Sequence, residues 1–121
     1  MRNIFFIILL ALFVGCGRGP KGDYSVPGLI QSLKDPDPGV RYTAAKSLAK
    51  YGPKAKEAVP ALVEALADPD KNVRLRAAYA LGDIGPDAAA AVPTLTKWSQ
   101  DRDKSTRDAA AYALKHIKGK K

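Results

Sequence analysis

From Val26 onward, short apolar clusters alternate with charged, proline-bearing turns on a fixed period. Val26-Pro27, Val59-Pro60 and Val92-Pro93 each stand 33 residues after the one before. A period between 20 and 50 residues marks supersecondary units stacked in a row. After each Val-Pro pair the apolar residues fall at helical spacing: Leu29, Ile30 and Leu33; Leu62, Val63 and Leu66; Leu95 with Trp98. This predicts a short first helix per unit, with proline in the first turn, where its missing amide proton costs nothing. The runs KAKEA before Val59 and DAAAA before Val92 predict a bent helical turn leading into two of these helices.

Asp35-Pro36-Asp37, Asp68-Pro69-Asp70 and Asp101-Arg102-Asp103 then break the pattern. Asp37, Asp70 and Asp103 are placed to cap a second helix, and Pro38 takes the first helical position of its unit. The second helix carries the clearest stripe: Val40, Ala44, Leu48, Tyr51; Val73, Ala77, Leu81, Ile84; Thr106, Ala110, Leu114, Ile117. Spacings of 4, 4 and 3 keep these residues on one face. Ala45, Ala78, Ala80, Ala111 and Ala113 flank the stripe and allow close helix approach. Gly52-Pro53, Gly85-Pro86 and Gly119 supply the stops.

A helix pair with one apolar seam cannot cover itself, so the pairs must stack. The chain is predicted to be all-α. Its pattern resembles the HEAT family of helical repeats, in particular the short bacterial repeats of the phycobilisome-lyase type, whose consensus runs roughly VPxLxxxLxDxxxxVRxxAAxALGxIG. The unit VPALVEALADPDKNVRLRAAYALGDIG matches it almost throughout. The resemblance implies an α-solenoid of about three HEAT-like helix pairs in a right-handed stack, with second helices lining the concave surface. It also implies a structural ladder between repeats, joining Asp35, Asp68 and Asp101 to Arg41, Arg74 and Arg107. Thr96, Ser99, Thr106 and Lys115 depart from the consensus in the last unit as a polar terminal cap should. The expected organisation is a repeat domain over 26–121, divided as 26–58, 59–91 and 92–121.

The N-terminus is of a different kind. Met1-Arg2-Asn3 is followed by an unbroken apolar run from Ile4 to Val14 and then Gly15-Cys16. Eleven apolar residues fall short of the roughly 20 needed to span a bilayer as a helix and fit a secretory leader instead. Phe13-Val14-Gly15-Cys16 resembles the bacterial lipobox, with Phe where leucine is usual. The resemblance implies a signal peptide over 1–15, acylation of Cys16, and an exported protein anchored in the cell envelope through the lipid bilayer. Gly17 in place of aspartate implies the outer membrane if the source has one. Residues 16–25 read as a glycine-rich tether.

Charge widens the list of partners and narrows the chemistry. The net charge of +8 and pI near 9.7 suit anionic lipid, wall polymers, acidic proteins or nucleic acid; the export signal argues against nucleic acid. A single cysteine excludes an internal disulfide framework and a multi-cysteine zinc site. Asp68 to Asn72 begins like a calcium loop, but Val73 and Tyr79 stand where it needs glycine and a carboxylate. His116 is the only histidine, on the polar side of the last helix, and no phosphate loop or serine elbow occurs. No cofactor and no enzymatic activity are expected, the bilin-lyase-like alternative resting on shared repeats alone.

Opposite the apolar stripe stand Tyr42, Lys46 and Lys50, then Leu75, Tyr79 and Asp83, then Asp108, Tyr112 and Lys115. Tyr42, Lys46, Leu75, Tyr79 and Tyr112 are the candidate partner-binding residues, because aromatic side chains bury large area at small entropic cost. The expected function is a non-catalytic protein-binding or scaffold module; the alternative is electrostatic binding of anionic lipid or wall polymer, to which the basic tail Lys115–Lys121 would contribute.

Overall fold

The computed structural model describes residues 23–119. The leader, Cys16 and most of the tether lie outside them. Within them the chain forms three antiparallel helix pairs: α1 (Val26–Ser32) with α2 (Pro38–Tyr51), α3 (Val59–Ala65) with α4 (Lys71–Ile84), and α5 (Val92–Trp98) with α6 (Lys104–Ile117). The pairs are joined by 3-10 segments at Gly52–Ala58 and Pro86–Ala91, each kinked at an alanine of non-helical backbone, Ala55 and Ala88. These are the bent turns that the alanine-rich runs predict.

The second helices start where an aspartate can cap them. Asp37 accepts from the Gly39 amide at 2.9 Å, Asp70 from the Asn72 and Val73 amides at 2.8 and 3.1 Å, and Asp103 from the Thr106 amide at 3.1 Å. Each bond satisfies a donor that the helix itself leaves free. The stops at Gly52 and Gly85 have φ of 56° and 89°, a region closed to residues with a Cβ. There the chain turns sharply from the end of a second helix into the 3-10 segment.

The seam residues form one core. Leu29, Leu48, Leu62, Val73, Leu81, Ile84 and Leu95 are its largest fully buried side chains, and no polar or charged residue is buried among the described residues. Helix α4 packs against α2 on one side and α6 on the other, while the first helices meet the next unit chiefly through the 3-10 segments. Small residues set the second-helix spacing: a Cβ on Gly82 would lie 2.9 Å from the Ala113 Cα and 3.0 Å from the Tyr112 ring. Alanine and lysine occupy the same column at Ala49 and Lys115, so only the α4–α6 junction needs glycine.

The stripe is buried fully only in the middle unit. Tyr51 is 37% exposed, and Val40 and Leu114 are half-buried, whereas Val73, Leu81 and Ile84 are buried. The flanking Ala111 is exposed, although Ala78 in the same column is buried. The end helices have a neighbouring second helix on one side only. Tyr51 instead donates its hydroxyl to the Tyr24 carbonyl at 2.7 Å, fastening the segment before α1 to the end of α2. In the last unit Thr96 and Ser99 turn their hydroxyls to the Val92 and Thr96 carbonyls at 2.8 and 2.6 Å, so the polar replacements bond within their own helix.

Candidate functional site

Two groups of side chains connect the units. The first runs along the edge where the second helices begin. Asp35, Asp68 and Asp101 each accept from the amide two residues on, at 2.8, 2.9 and 2.8 Å. Arg41, Arg74 and Arg107 each hook the turn before their own helix. Their Nη1 atoms donate to the Asp35 and Pro36 carbonyls, to the Asp68 and Pro69 carbonyls, and to the Asp101 and Arg102 carbonyls, respectively, at 2.7 to 3.2 Å. Only Arg41 also crosses to the next unit, meeting Asp68 through Nε at 2.7 Å and Nη2 at 2.9 Å. Those two side chains are 14% and 9% exposed. Burial works against ionisation of Asp68, but hydrogen bonds from Arg41 and the Asp70 amide, with the charges of Arg41 and Arg74, together hold its pKa below 3.8.

The ladder expected at two junctions thus has one Asp–Arg rung. Arg74 and Asp101 do not form an ion pair, and Lys71 with Asp103 spans the second junction instead, at 3.1 Å and largely in solvent. The third turn has Arg102 where the first two have Pro36 and Pro69, and Asp101 is exposed there while Asp68 is mostly covered.

The second group lies on the face of the second helices. Of the candidate residues, Lys46 is exposed, but Tyr42, Leu75 and Tyr79 are half-buried and pack against the core, and Tyr112 is half-buried as well. The expectation that they point outward is corrected in this respect: close approach of neighbouring second helices folds the rings down between them. Tyr79 and Tyr112 are tilted with centroids 5.1 Å apart, and Tyr112 lies 4.2 Å from the His116 ring. His116 is therefore not a solvated end residue; its Nδ1–H donates to the Tyr112 carbonyl at 2.8 Å. Arg76 stands between Tyr42 and Tyr79, its Cζ 5.2 and 5.9 Å from their ring centroids, and its Nη2 donates to the Tyr42 hydroxyl at 3.1 Å. An open groove of about 420 Å³ beside Tyr42 is lined also by Pro38, Gly39, Asp70 and Asn72.

Tyr112 donates its hydroxyl to Asp83 across the α4–α6 junction. That bond, then burial, then the charges of Asp83 and Tyr79 push its pKa from 10.0 up to about 12. Because the folded state favours the neutral phenol, the stabilisation is complete below pH 10 and is lost as pH rises from 10 through about 12. In an ultraviolet phenolate titration, one of the five tyrosines is expected to ionise near 12, and Asp83→Asn to return it towards 10. Five tyrosines titrating together in the parent would contradict the bond.

Helical periodicity alone does not mark Arg76 as a site residue. A signal was present: its column reads Thr43, Arg76, Ala109, so a charge interrupts a series of small residues.

Among the described residues no helix is long and apolar enough to cross a membrane. Compared with known protein families, residues 26–115 match HEAT repeats. The fold is similar to the crystal structure of an engineered protein, with a TM-score of 0.64 and 26% identity over 76% of this chain. The matched region spans 44% of that longer chain. None of the curated proteins matches. Three stacked helix pairs, their capped turns and the family match over most of the chain lead to one assignment: this chain belongs to the HEAT-repeat family.

Proposed function

We propose that this protein is a membrane-anchored, non-catalytic protein-binding or scaffold module, held to the cell envelope by acylated Cys16 and contacting its partner through the second-helix face of the solenoid. The observation that carries the reading is the row Tyr42, Arg76, Tyr79 and Tyr112, stacked in order across all three units. Rings already fixed by their neighbours lose little freedom when a partner covers them, which favours binding over a surface of loose side chains. HEAT repeats commonly serve as interaction scaffolds.

The anchor rests on the leader and Cys16, and mass spectrometry of the mature N-terminus tests it: a diacylglyceryl cysteine supports it, and a free thiol at that position removes it. The face is tested by crosslinking in native membranes, comparing the parent with Lys46→Glu and with a Tyr42, Leu75, Tyr79 triple alanine variant. Lys46 is exposed, so its reversal leaves the core intact should the triple variant unfold. Loss of the crosslinked products in Lys46→Glu is expected; unchanged products would eliminate the second-helix face.

Electrostatic attachment to anionic lipid or wall polymer is the second reading, and the distribution of charge bears on it. Residues 23–119 hold 15 Lys and Arg against 12 Asp and Glu, a net +3 of the total +8. The remaining excess belongs to the two termini. In that reading the ends of the chain make the contact rather than the solenoid, and removing Lys120 and Lys121 would weaken vesicle binding by about 1 kcal/mol per charge near the surface.

A further inference from the structure

Arg76 is the side chain whose state in the free protein is least explained by packing. The guanidinium of Arg41 faces a carboxylate, and those of Arg74 and Arg107 grip backbone carbonyls. Arg76 belongs to none of the ion pairs among the described residues. Its Nε is buried without a hydrogen-bond partner, the one such side-chain atom among them. Nη2 is engaged with the Tyr42 hydroxyl, while Nη1 makes no hydrogen bond among the described residues and reaches solvent. Arg76 meets the preceding unit only through Tyr42, and Ala109 fills the same column at the next junction, so the stack closes there without a charge. A half-buried charge with an orphaned donor is costly to keep. The Tyr42 and Tyr79 rings lie 5.2 and 5.9 Å from its Cζ, and with the Tyr42 hydroxyl on Nη2 they restrict the orientations open to the planar fork.

We propose that Arg76 is an anchor for the carboxylate of an acidic partner peptide, received at the open end of the guanidinium while an apolar or aromatic neighbour in the peptide lies on Leu75 and Tyr79. This rests on the reading of the second-helix face as the contact surface. Two features favour a peptide over a polyanion or a lipid surface. Arg76 is set among aromatic and aliphatic side chains, and the other cations of this face, Lys46, Lys50 and Lys115, are exposed and spread over the two end units. The acids on this face, Asp83 and Asp108, are occupied by Tyr112 and Lys104; they leave Arg76 free to pair but lower the field that a polyphosphate or headgroup layer would need. Arginine suits this role because its fork matches a carboxylate with two parallel hydrogen bonds, which lysine cannot reproduce.

The test uses the ¹⁵N-labelled full chain in neutral detergent. The Nε–H signal of Arg76, assigned by its disappearance in Arg76→Lys, is followed during titration with the capped peptide GYELEG and its uncharged counterpart GYQLQG. Inorganic phosphate and phosphatidylglycerol vesicles are added in separate titrations. A saturable shift of that signal with GYELEG is expected, about fivefold or more weaker with GYQLQG. Arg76→Lys is expected to weaken GYELEG binding about fivefold or more with unchanged helical circular dichroism. No response to GYELEG at millimolar concentration, equal response to both peptides, undiminished binding by Arg76→Lys, or an equal or stronger response to phosphate or vesicles would each overturn the anchor. Membrane crosslinking then separates the two levels. Products lost in Lys46→Glu but kept in Arg76→Lys leave the contact face standing and remove the anchor, and products kept in both remove the two together.

Discussion

Truncating Leu81 to alanine is expected to lower the unfolding free energy by about 2–5 kcal/mol, enough to unfold most of a domain this small at room temperature. Leu81 is 0% exposed, and its helix α4 packs against α2, α3 and α6 at once. The lost methyl groups forfeit their transfer energy and leave a cavity that three neighbouring helices cannot all collapse to fill. Leu114, one period later, has the same side chain on a helix with one neighbouring second helix, and it is half-buried. Leu114→Ala is therefore expected to cost about 1 kcal/mol, in keeping with the smaller area it withdraws from water. Urea unfolding followed by circular dichroism measures both. Equal losses at the two positions would mean that the array does not draw its stability from the middle unit.

The second large effect is expected at the edge of the stack. Asp68→Ala should cost about 2–3 kcal/mol, because it removes two charge-assisted hydrogen bonds from the partly covered Arg41 guanidinium, which keeps only the carbonyls of its own turn. Arg74→Ala removes hydrogen bonds to two carbonyls of its own turn and no carboxylate, and should cost only about 1 kcal/mol. A ladder with equivalent rungs would make Arg41→Ala and Arg74→Ala equally damaging, so the pair of variants decides whether one junction or both are tied. Acid should act in the same place. Since the Asp68 pKa is held below 3.8 in the folded protein, its contribution is complete above the unfolded value. It is lost as pH falls from about 4 through the lower folded pKa. The acid branch of the stability curve should flatten in Asp68→Asn.

Much of this architecture is legible in the chain because it depends on local rules. A proline in the first turn, an aspartate two or three residues ahead of an apolar run and a glycine at the stop act over one helical turn; the first two recur every 33 residues, and the glycines Gly52, Gly85 and Gly119 follow 33 and 34 apart. The helices accordingly begin at Val26, Pro38, Val59, Lys71, Val92 and Lys104. The fate of the repeated columns was less legible. Leu81 and Leu114, Ile84 and Tyr51, Ala78 and Ala111 share columns but not burial, because a position is covered only where a neighbouring unit exists to cover it.

The candidate site shows the same division. Helical periodicity puts Tyr42, Tyr79 and Tyr112 on one face, and that much is a property of the sequence. Whether the rings stand free or lie between helices depends on how closely α2, α4 and α6 approach, which small residues such as Gly82 and Ala113 decide jointly. Arg76 illustrates the limit. As a letter in a helix it is an ordinary surface charge; only the packed neighbours give it two aromatic walls, one buried donor and no acid.

The sequence by itself determined the number of units, the helix ends, the apolar seam and the family, since these follow from near-neighbour spacing and its repetition. Tertiary structure alone decided that one Asp–Arg rung closes, that the tyrosines are clamped and that Arg76 meets a tyrosine and no carboxylate among the described residues. Those are distances between residues about one period apart, and no rule of local spacing contains them.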